Sequence, residues 1–214
     1  MKNQEYIINS DKKVYIYDDL FNFNTQEKVA HFVWSSFYKP IALDRGYDGN
    51  TQGDITISSG FSKEDLERLQ FLDYLPEDLK RKHKLSLETY ESSFVNLVTP
   101  SDRFHVHTDN SIPNDDYYAD GEKGMFTSVL YYVSNDWHIE YGGDTLFLDD
   151  QGRDVELFSQ YKTGRLIVFD SRIPHLIRPS TTLAPHYRFS VVLKFSEYIS
   201  SKLILSTFNK AKYL

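Results

Sequence analysis

Apolar positions in the N-terminal part of the chain recur mainly at helical spacing. Residues 14–17 form a short apolar stretch that predicts a strand. Asn24, with Glu27 three residues later, has the spacing of a capping box, so a helix should begin there and stop before Pro40. The face of this helix that should pack inward carries Val29, Phe32, Val33, Ser36 and Phe37.

Two shorter helices are predicted before the pattern changes. Ser62 with Asp65 should start one of them, which carries Leu66, Leu69 and Phe71. Pro76 suits the first turn of the other, over residues 79–84. The Gly-, Asp- and Ser-rich segment 44–60 predicts a loop with a short strand at 55–57. Its glycines (Gly46, Gly49 and Gly53) suit either a lid or an ordinary surface loop.

From Leu85 onward, alternating apolar and polar positions predict strands separated by turns. An acidic, aromatic loop over residues 111–124 interrupts them. This pattern favours a mainly β, α+β fold with a closed or double-sheet architecture, whose N-terminal helices pack on one sheet. The predicted strands are 87–98, 104–107, 126–133, 145–148, 155–158, 165–169 and 187–195.

Length and composition narrow the class of protein. A chain of 214 residues with 40% hydrophobic residues is predicted to form a single domain, 1–214. A net charge of −7 disfavours a nucleic-acid partner. With no cysteines, any metal site must use histidine and carboxylate ligands. Because we see no signal peptide and no apolar run of membrane-spanning length, we expect a cytoplasmic protein with no membrane partner.

Histidine and aspartate side chains suggest a metal site. His107 and Asp109 can point the same way from an extended segment, because alternate residues share a face. His175, which follows the apolar strand and Pro174, is the best third ligand. Two imidazoles and one carboxylate form the triad associated with non-haem iron(II) oxygenases, with positions left free for a chelating cosubstrate and dioxygen.

Other residues could take these places. His138 and Glu140 form a second His-x-acid pair, and His105 precedes His107 by two residues. Surface or structural roles are the alternative for each single histidine, so the metal prediction rests on the combination of ligands and their order in the chain.

The last predicted strand carries charge on one face. Arg188 is costly inside a β-barrel unless it is paired, and a small dicarboxylate could pair it, with Ser190 adding a hydrogen bond. A structural salt bridge is the alternative. Arg188, Ser190, Val192 and Lys194 share this face, and Tyr187, Phe189, Val191, Leu193 and Phe195 share the other.

A tyrosine pair is a further candidate. Tyr131 shares a face with Thr127, Val129 and Val133, and an inward hydroxyl could reach the same carboxylate. Simple packing of Tyr131 or Tyr132 is equally compatible with the pattern.

Taken in order, these motifs resemble the prolyl hydroxylase branch of the 2-oxoglutarate/iron(II) oxygenases, over residues 85–196. The tyrosine pair that runs into Asn-Asp-Trp and then a glycine pair is similar to the oxygen-sensing prolyl hydroxylases in particular. The matching pieces are His107-Thr108-Asp109-Asn110, residues 131–137, Gly142-Gly143-Asp144-Thr145, residues 165–172 with Pro174-His175, and Tyr187-Arg188-Phe189-Ser190.

The resemblance implies a double-stranded β-helix (a jelly roll, as in cupins) with iron held by His107, Asp109 and His175. It implies that Arg188 binds the distal carboxylate of 2-oxoglutarate, helped by Tyr131 and Ser190. The implied reaction uses O2, converts 2-oxoglutarate to succinate and CO2, and hydroxylates an unactivated C–H bond of a proline residue in a peptide or protein. Ascorbate is an additional cofactor that this branch suggests.

The sequence departs from the oxygen-sensing enzymes in two places. The segment between His175 and Arg188 is longer, which leaves Arg178 as the alternative cosubstrate arginine. Leu97 stands where those enzymes have a tyrosine, so one hydrogen bond to 2-oxoglutarate would be missing or replaced.

The substrate is open at this stage. Acidic residues between Asp109 and Glu122 could favour a basic peptide, or form an ordinary solvated loop. The same chemistry on a free amino acid or another small molecule is one alternative, and nucleic-acid dealkylation is a second, which the acidic charge opposes. A non-catalytic jelly-roll binding module is the third, although such a module has no need for His107, Asp109, His175 and Arg188 together.

Overall fold

The computed structural model describes residues 2–9, 11–45, 52–102, 104–109 and 126–196. Its three α-helices are α1 (Phe23–Trp34), α2 (Lys63–Leu69) and α3 (Glu77–His83). Its strands are β1 (Lys2–Ile8), β2 (Lys12–Asp18), β3 (Lys39–Arg45), β4 (Gln52–Gly60), β5 (Tyr90–Val98), β6 (Phe126–Tyr132), β7 (Thr145–Leu148), β8 (Val155–Ser159), β9 (Leu166–Asp170), β10 (His175–Ile177) and β11 (Arg188–Ser196).

The strands form two antiparallel sheets. The large sheet has the order β1-β2-β9-β6-β11-β5-β4-β3, and the small sheet has the order β10-β7-β8. Strands that are distant in sequence therefore lie side by side, as in β9-β6-β11-β5, which is the connectivity of a jelly roll. The predicted double-stranded β-helix with flanking helices is confirmed.

The first helix begins two residues earlier than its capping pattern predicted. Asn22, not Asn24, is the N-cap, and its side chain accepts a hydrogen bond from the Thr25 amide. Glu27 is not available for a capping box, because its carboxylate accepts a hydrogen bond from Asn135 Nδ2 at 2.6 Å. The helix ends at Trp34, which leaves Phe37 84% exposed instead of packed.

The other two helices match their predictions. Ser62 and Asp65 form a capping box at α2, with each side chain bonded to the backbone of the other residue. Pro76 immediately precedes α3. Phe71 lies beyond the end of α2, in a 3-10 turn over residues 71–74. No helix in the described ranges has the length and apolar composition needed to cross a membrane.

Segment 44–60 contains more strand than its composition predicted. Most of it belongs to β4, which pairs with β5 and with β3. Hydrogen bonding to two neighbouring strands outweighs the low strand propensity of Gly, Asp and Ser. Gly53 therefore lies in a strand and not in a lid, and Gly46 and Gly49 lie outside the described residues. Three strands, β1, β3 and β10, were not predicted.

The two faces of the large sheet bury different cores. The outer face packs against the helices, through residues such as Val29, Leu66 and Phe71. The inner face packs against the small sheet, through residues such as Phe147 and Ile167. The outer face of β11 consists of Phe189, Val191, Leu193 and Phe195, while Val192 belongs to the inner core, as its alternation predicted.

Candidate metal and cosubstrate site

His107 and His175 meet across a short antiparallel bridge at the edge of the small sheet. The His107 amide donates to the His175 carbonyl at 3.0 Å, and the His175 amide donates back at 2.8 Å. The two imidazole centroids lie 4.4 Å apart. The predicted strand 104–107 is reduced to this single bridge, which is nevertheless enough to bring both rings into the space between the sheets.

Each imidazole presents one nitrogen to that space. Nδ1 of His107 lies 3.0 Å from the His105 carbonyl, and Nδ1 of His175 lies 3.0 Å from the Ile173 carbonyl. A carbonyl only accepts, so we assign the ring proton to Nδ1 in both residues. The Nε2 lone pairs are then available to a metal ion, in the tautomer that metal-binding histidines use.

Asp109 completes the cluster. Its amide donates to the Ser171 carbonyl at 3.0 Å, which anchors the turn. Its Oδ2 accepts from Ser128 Oγ at 2.7 Å and lies 3.9 Å from His175 Nε2. One ligand atom from each of His107, Asp109 and His175 lies within 4.8 Å of the others. The structure therefore brings together the three residues that the sequence proposed, in an arrangement that one metal ion could bridge.

Sequence reasoning did not assign a role to Lys194. Its Nζ lies 3.0 Å from Asp109 Oδ1 and 3.1 Å from the Asp109 carbonyl. The signal was present, because the alternation of the last strand placed a second cation on the same face as Arg188.

Charge and burial at the cluster favour an ionised Asp109 and a neutral His175. Burial tends to raise the pKa of Asp109, but the charges of Lys194, His175 and His107 outweigh it and hold that pKa well below its ordinary value. Burial, with the neighbouring His107, lowers the pKa of His175 to about 4. Both protonation states are those that a metal ligand needs at neutral pH.

Arg188 is completely buried between the sheets. Its Nε donates to the Gly143 carbonyl at 2.6 Å, and its Nη1 donates to Ser190 Oγ at 3.1 Å. The guanidinium carbon lies 5.3 Å from the Tyr132 ring centre and 4.8 Å from that of Tyr161. Its Nη2 has no hydrogen-bond partner among the described residues, and burial lowers the pKa of the guanidinium.

An unpaired nitrogen on a fully buried cation calls for an anionic partner. Leaving such a donor unsatisfied costs roughly 1–3 kcal/mol, and more for a charged group. A carboxylate meets both the charge and the planar geometry of a guanidinium. Arg178 offers no such site, because its side chain is 59% exposed and its nearest carboxylate, Asp144, is 4.0 Å away.

The structure places Tyr131 away from this pocket, contrary to the prediction. Tyr131 pairs with Val191 on the outer face of the large sheet and packs against Phe21 and Phe71. Because neighbouring strand residues point to opposite faces, Tyr132 is the tyrosine on the Arg188 side. Its hydroxyl donates to Thr145 Oγ1 at 2.8 Å.

A small cavity links the two halves of the site. Leu97, where a tyrosine was expected by resemblance, packs against the outer core, so Asn96 is the β5 residue that faces the cavity at this level. Thr145 lines the cavity and bonds Tyr132, which connects it to the arginine pocket. The lining consists of His107, Asp109 and His175 together with Phe94, Asn96, Leu130, Thr145, Phe169, Ile177 and Val192.

The rival metal pair is a surface feature. His138 and Glu140 have side chains that are 62% and 70% exposed, and they contact each other at 3.5 Å. Within the described ranges, the only group of three potential metal ligands found together is His107, Asp109 and His175. The predicted acidic loop, with its acidic residues from Asp115 to Glu122, lies outside the described residues.

Comparison with known proteins agrees with this geometry. The model of a family described as the 2OG-Fe(II) oxygenase superfamily matches residues 93–195, a range that contains the His107, Asp109, His175 and Arg188 site. A search of curated proteins found no match.

Solved structures share the fold at low sequence identity. A prolyl hydroxylase from Trichoplax adhaerens, in complex with a peptide fragment of the hypoxia inducible factor oxygen degradation domain, has a TM-score of 0.58 and 18% identity, over 86% of this chain and 83% of that one. A prolyl-4-hydroxylase from Pseudomonas putida has a TM-score of 0.55 and 16% identity, over 86% of this chain and 92% of that one. HygX from Streptomyces hygroscopicus was solved with nickel, 2-oxoglutarate and hygromycin B bound. It has a TM-score of 0.56 and 13% identity, over 86% of this chain and 82% of that one.

The family match covers both halves of the site, and the fold is that of prolyl hydroxylases. Residues 93–195, which contain His107, Asp109, His175 and Arg188, therefore match the 2OG-Fe(II) oxygenase superfamily.

Proposed function

We propose that this oxygenase hydroxylates an unactivated C–H bond of a proline residue in a peptide or protein, while 2-oxoglutarate is converted to succinate and CO2. The observation that carries the oxygenase part of the proposal concerns the buried Arg188, whose Nη2 has no hydrogen-bond partner among the described residues. Arg188 lies on the inner face of the large sheet, which is also the face that contacts the His107, Asp109 and His175 cluster. A non-catalytic binding module would have no need for this cation together with three metal-ligand candidates.

In this proposal, His107, His175 and Asp109 would hold iron(II), with the two histidines offering Nε2. Bound iron(II) supplies the activation of dioxygen, which no protein side chain provides. The protein keeps His175 neutral and Asp109 ionised at neutral pH, and the apolar lining of the cavity, including Phe169 and Val192, limits the access of water.

Arg188 would bind the distal carboxylate of 2-oxoglutarate through Nη2. Ser190, already bonded to Nη1, fixes the orientation of the guanidinium. Tyr132 and Thr145, which lie between the arginine and the cavity, are better placed than Tyr131 to help. The buried location strengthens the ion pair, since few waters compete for it.

The proline substrate is supported by the likeness in fold to prolyl hydroxylases, one of which was solved with a peptide fragment. The main alternative is a small molecule, supported by the comparable likeness to a structure that contains hygromycin B. Production of succinate with proline-containing peptides, compared with free amino acids, separates the two. Whether ascorbate supports turnover stays a prediction that the same assay tests.

The first experiment is anaerobic. Iron(II) and then 2-oxoglutarate are added to the purified protein, and the visible spectrum is searched for a metal-to-ligand charge-transfer band. The band should need protein, metal and cosubstrate together, and should be absent from His175→Ala. If iron and 2-oxoglutarate demonstrably do not bind, the oxygenase proposal fails and a jelly-roll binding module becomes the better account.

A further inference from the structure

The two oxygens of the Asp109 carboxylate have different partners. Oδ2 faces His175 Nε2 at 3.9 Å and accepts from Ser128 Oγ at 2.7 Å. Oδ1 pairs with Lys194 Nζ at 3.0 Å, and the same ammonium group donates to the Asp109 carbonyl at 3.1 Å. Rotation of the carboxylate would break at least one of these bonds, so its orientation is set by contacts on both sides.

Lys194 reaches Asp109 from the large sheet. It pairs with Ser128 on β6 and lies on the inner face of β11, so both groups that hold the carboxylate come from adjacent strands. The side chain of Lys194 is only 21% exposed. A lysine at such a position loses hydration and rotamer freedom, which the interaction with Asp109 offsets.

The number of oxygens that Asp109 offers matters for the chemistry proposed above. A facial triad is useful because it leaves metal positions open. A chelating cosubstrate takes two of these positions and dioxygen takes another. If both carboxylate oxygens bound the metal, one of those positions would be lost.

We propose that Lys194 is a positioning residue that holds Asp109 as a one-oxygen metal ligand, by occupying Oδ1 and leaving only Oδ2 to the metal. The inference rests on the proposed function, since it assumes a metal bound by His107, Asp109 and His175. Lys194 would act only through Asp109 and would not contact the reacting atoms.

The test uses cobalt(II) in place of iron(II), without oxygen, because the visible absorption of cobalt(II) reports its coordination number. Lys194→Met removes the charge and the donor with little change in length. Lys194→Arg keeps both. Lys162→Met is the matched control, because Lys162 also pairs with an aspartate, Asp18 at 3.1 Å, but on the surface.

Lys194→Met should bind cobalt(II) at least as tightly as the unmodified protein, because the freed oxygen adds a ligand. Its spectrum before addition of 2-oxoglutarate should shift toward a higher coordination number. Its affinity for 2-oxoglutarate should fall about ten-fold, because the freed oxygen competes for a metal position that the chelating cosubstrate needs. Lys194→Arg should recover at least part of that affinity, and Lys162→Met should match the unmodified protein.

Three results would overturn the inference. An unchanged spectrum and unchanged 2-oxoglutarate affinity would show that Lys194 does not control Asp109. Weaker 2-oxoglutarate binding with an unchanged spectrum would reflect loss of positive charge alone. Loss of both cobalt(II) and 2-oxoglutarate binding, or failure of Lys194→Met and Lys194→Arg to fold, would show a purely structural role. Failure of the proposed function is distinct, because then the unmodified protein itself would not bind the metal and cosubstrate.

Discussion

Tyr131 and Tyr132 are neighbours in β6, yet they belong to different parts of the molecule. Tyr131 points to the outer face of the large sheet and packs against Phe21 and Phe71. Tyr132 points to the inner face, stacks on Tyr161 and bonds Thr145. The outer face is covered by helices, whereas the inner face is covered by the small sheet.

The contrast extends along β11. Its outer positions are Phe189, Val191, Leu193 and Phe195, while its inner positions include Arg188 at one end and Lys194 six residues later, roughly 20 Å along the strand. The outer face stabilises the fold, and the inner face holds two cations whose partners define a site. A change on one face should therefore affect stability, and the equivalent change on the other should affect ligand binding.

The largest expected effect comes from the metal ligands. His107→Ala or Asp109→Ala should abolish 2-oxoglutarate turnover, because each removes a ligand from a set of three. Near-native circular dichroism and a cooperative thermal transition should show that the protein remains folded. His138→Ala is the control, since it changes the exposed rival histidine. Full turnover in His107→Ala would refute the assignment of the metal site.

Arg188→Ala should raise the KM for 2-oxoglutarate by at least about 30-fold, since truncating one member of a buried charged pair costs roughly 2 kcal/mol or more. Steady-state kinetics with varied 2-oxoglutarate measure this. Arg178→Ala should leave that KM unchanged, because its side chain is exposed. The opposite result for the two arginines would mean that the cosubstrate pocket has been placed wrongly.

Gly143→Ala should weaken 2-oxoglutarate binding about ten-fold, because the backbone has φ +81° and a Cβ there would lie 2.9 Å from Arg188 Cδ. Gly164→Ala is the matched control, with φ +75° and a new Cβ that meets only the flexible end of Gln26. Both variants should lose stability in urea unfolding. Equal 2-oxoglutarate affinity in the two would show that Gly143 does not position Arg188.

Substitutions of Tyr131 and Tyr132 directly test the difference between the outer and inner faces of the large sheet. Tyr132→Phe removes the hydrogen bond to Thr145 and should raise the KM for 2-oxoglutarate about two- to ten-fold, the kinetic equivalent of roughly 0.5–1.5 kcal/mol. Tyr131→Phe should leave that KM unchanged, because its ring packs on the other face. An effect of Tyr131→Phe alone would restore the original interpretation of Tyr131 as a cosubstrate residue.

The smallest expected effect is on the pH dependence of the free energy of unfolding, through a histidine on the outer face of the large sheet. Burial lowers the pKa of His83, which bonds the Tyr17 hydroxyl, to about 4 from an ordinary 6.5. The unfolded chain therefore binds more protons between pH 6.5 and pH 4, so the free energy of unfolding should fall as pH falls through this range. Urea unfolding at a series of pH values should show that the free energy of unfolding depends less steeply on pH in His83→Phe. Adding metal should not alter the His83 contribution.

Local signals in the sequence predicted the elements that depend on neighbouring residues. Ser62 and Asp65 cap α2 as expected, because a capping box is formed within four residues. Alternation predicted β11 and its two faces, since the pleat of a strand dictates which residues share a side. Where a distant residue competed, prediction failed: Glu27 bonds Asn135, and the cap moved to Asn22.

The sequence by itself determined the chemistry available to the site: His107, Asp109, His175 and Arg188, in an order that resembles one oxygenase family. Only the tertiary structure decided how the surrounding residues are used. It assigned Tyr132 in place of Tyr131 to the inner face, because strand register depends on pairing with β11. It also brought Lys194 to Asp109, 85 residues away in sequence. Residue types are local information, whereas register and long-range pairing arise only when the two sheets close on each other.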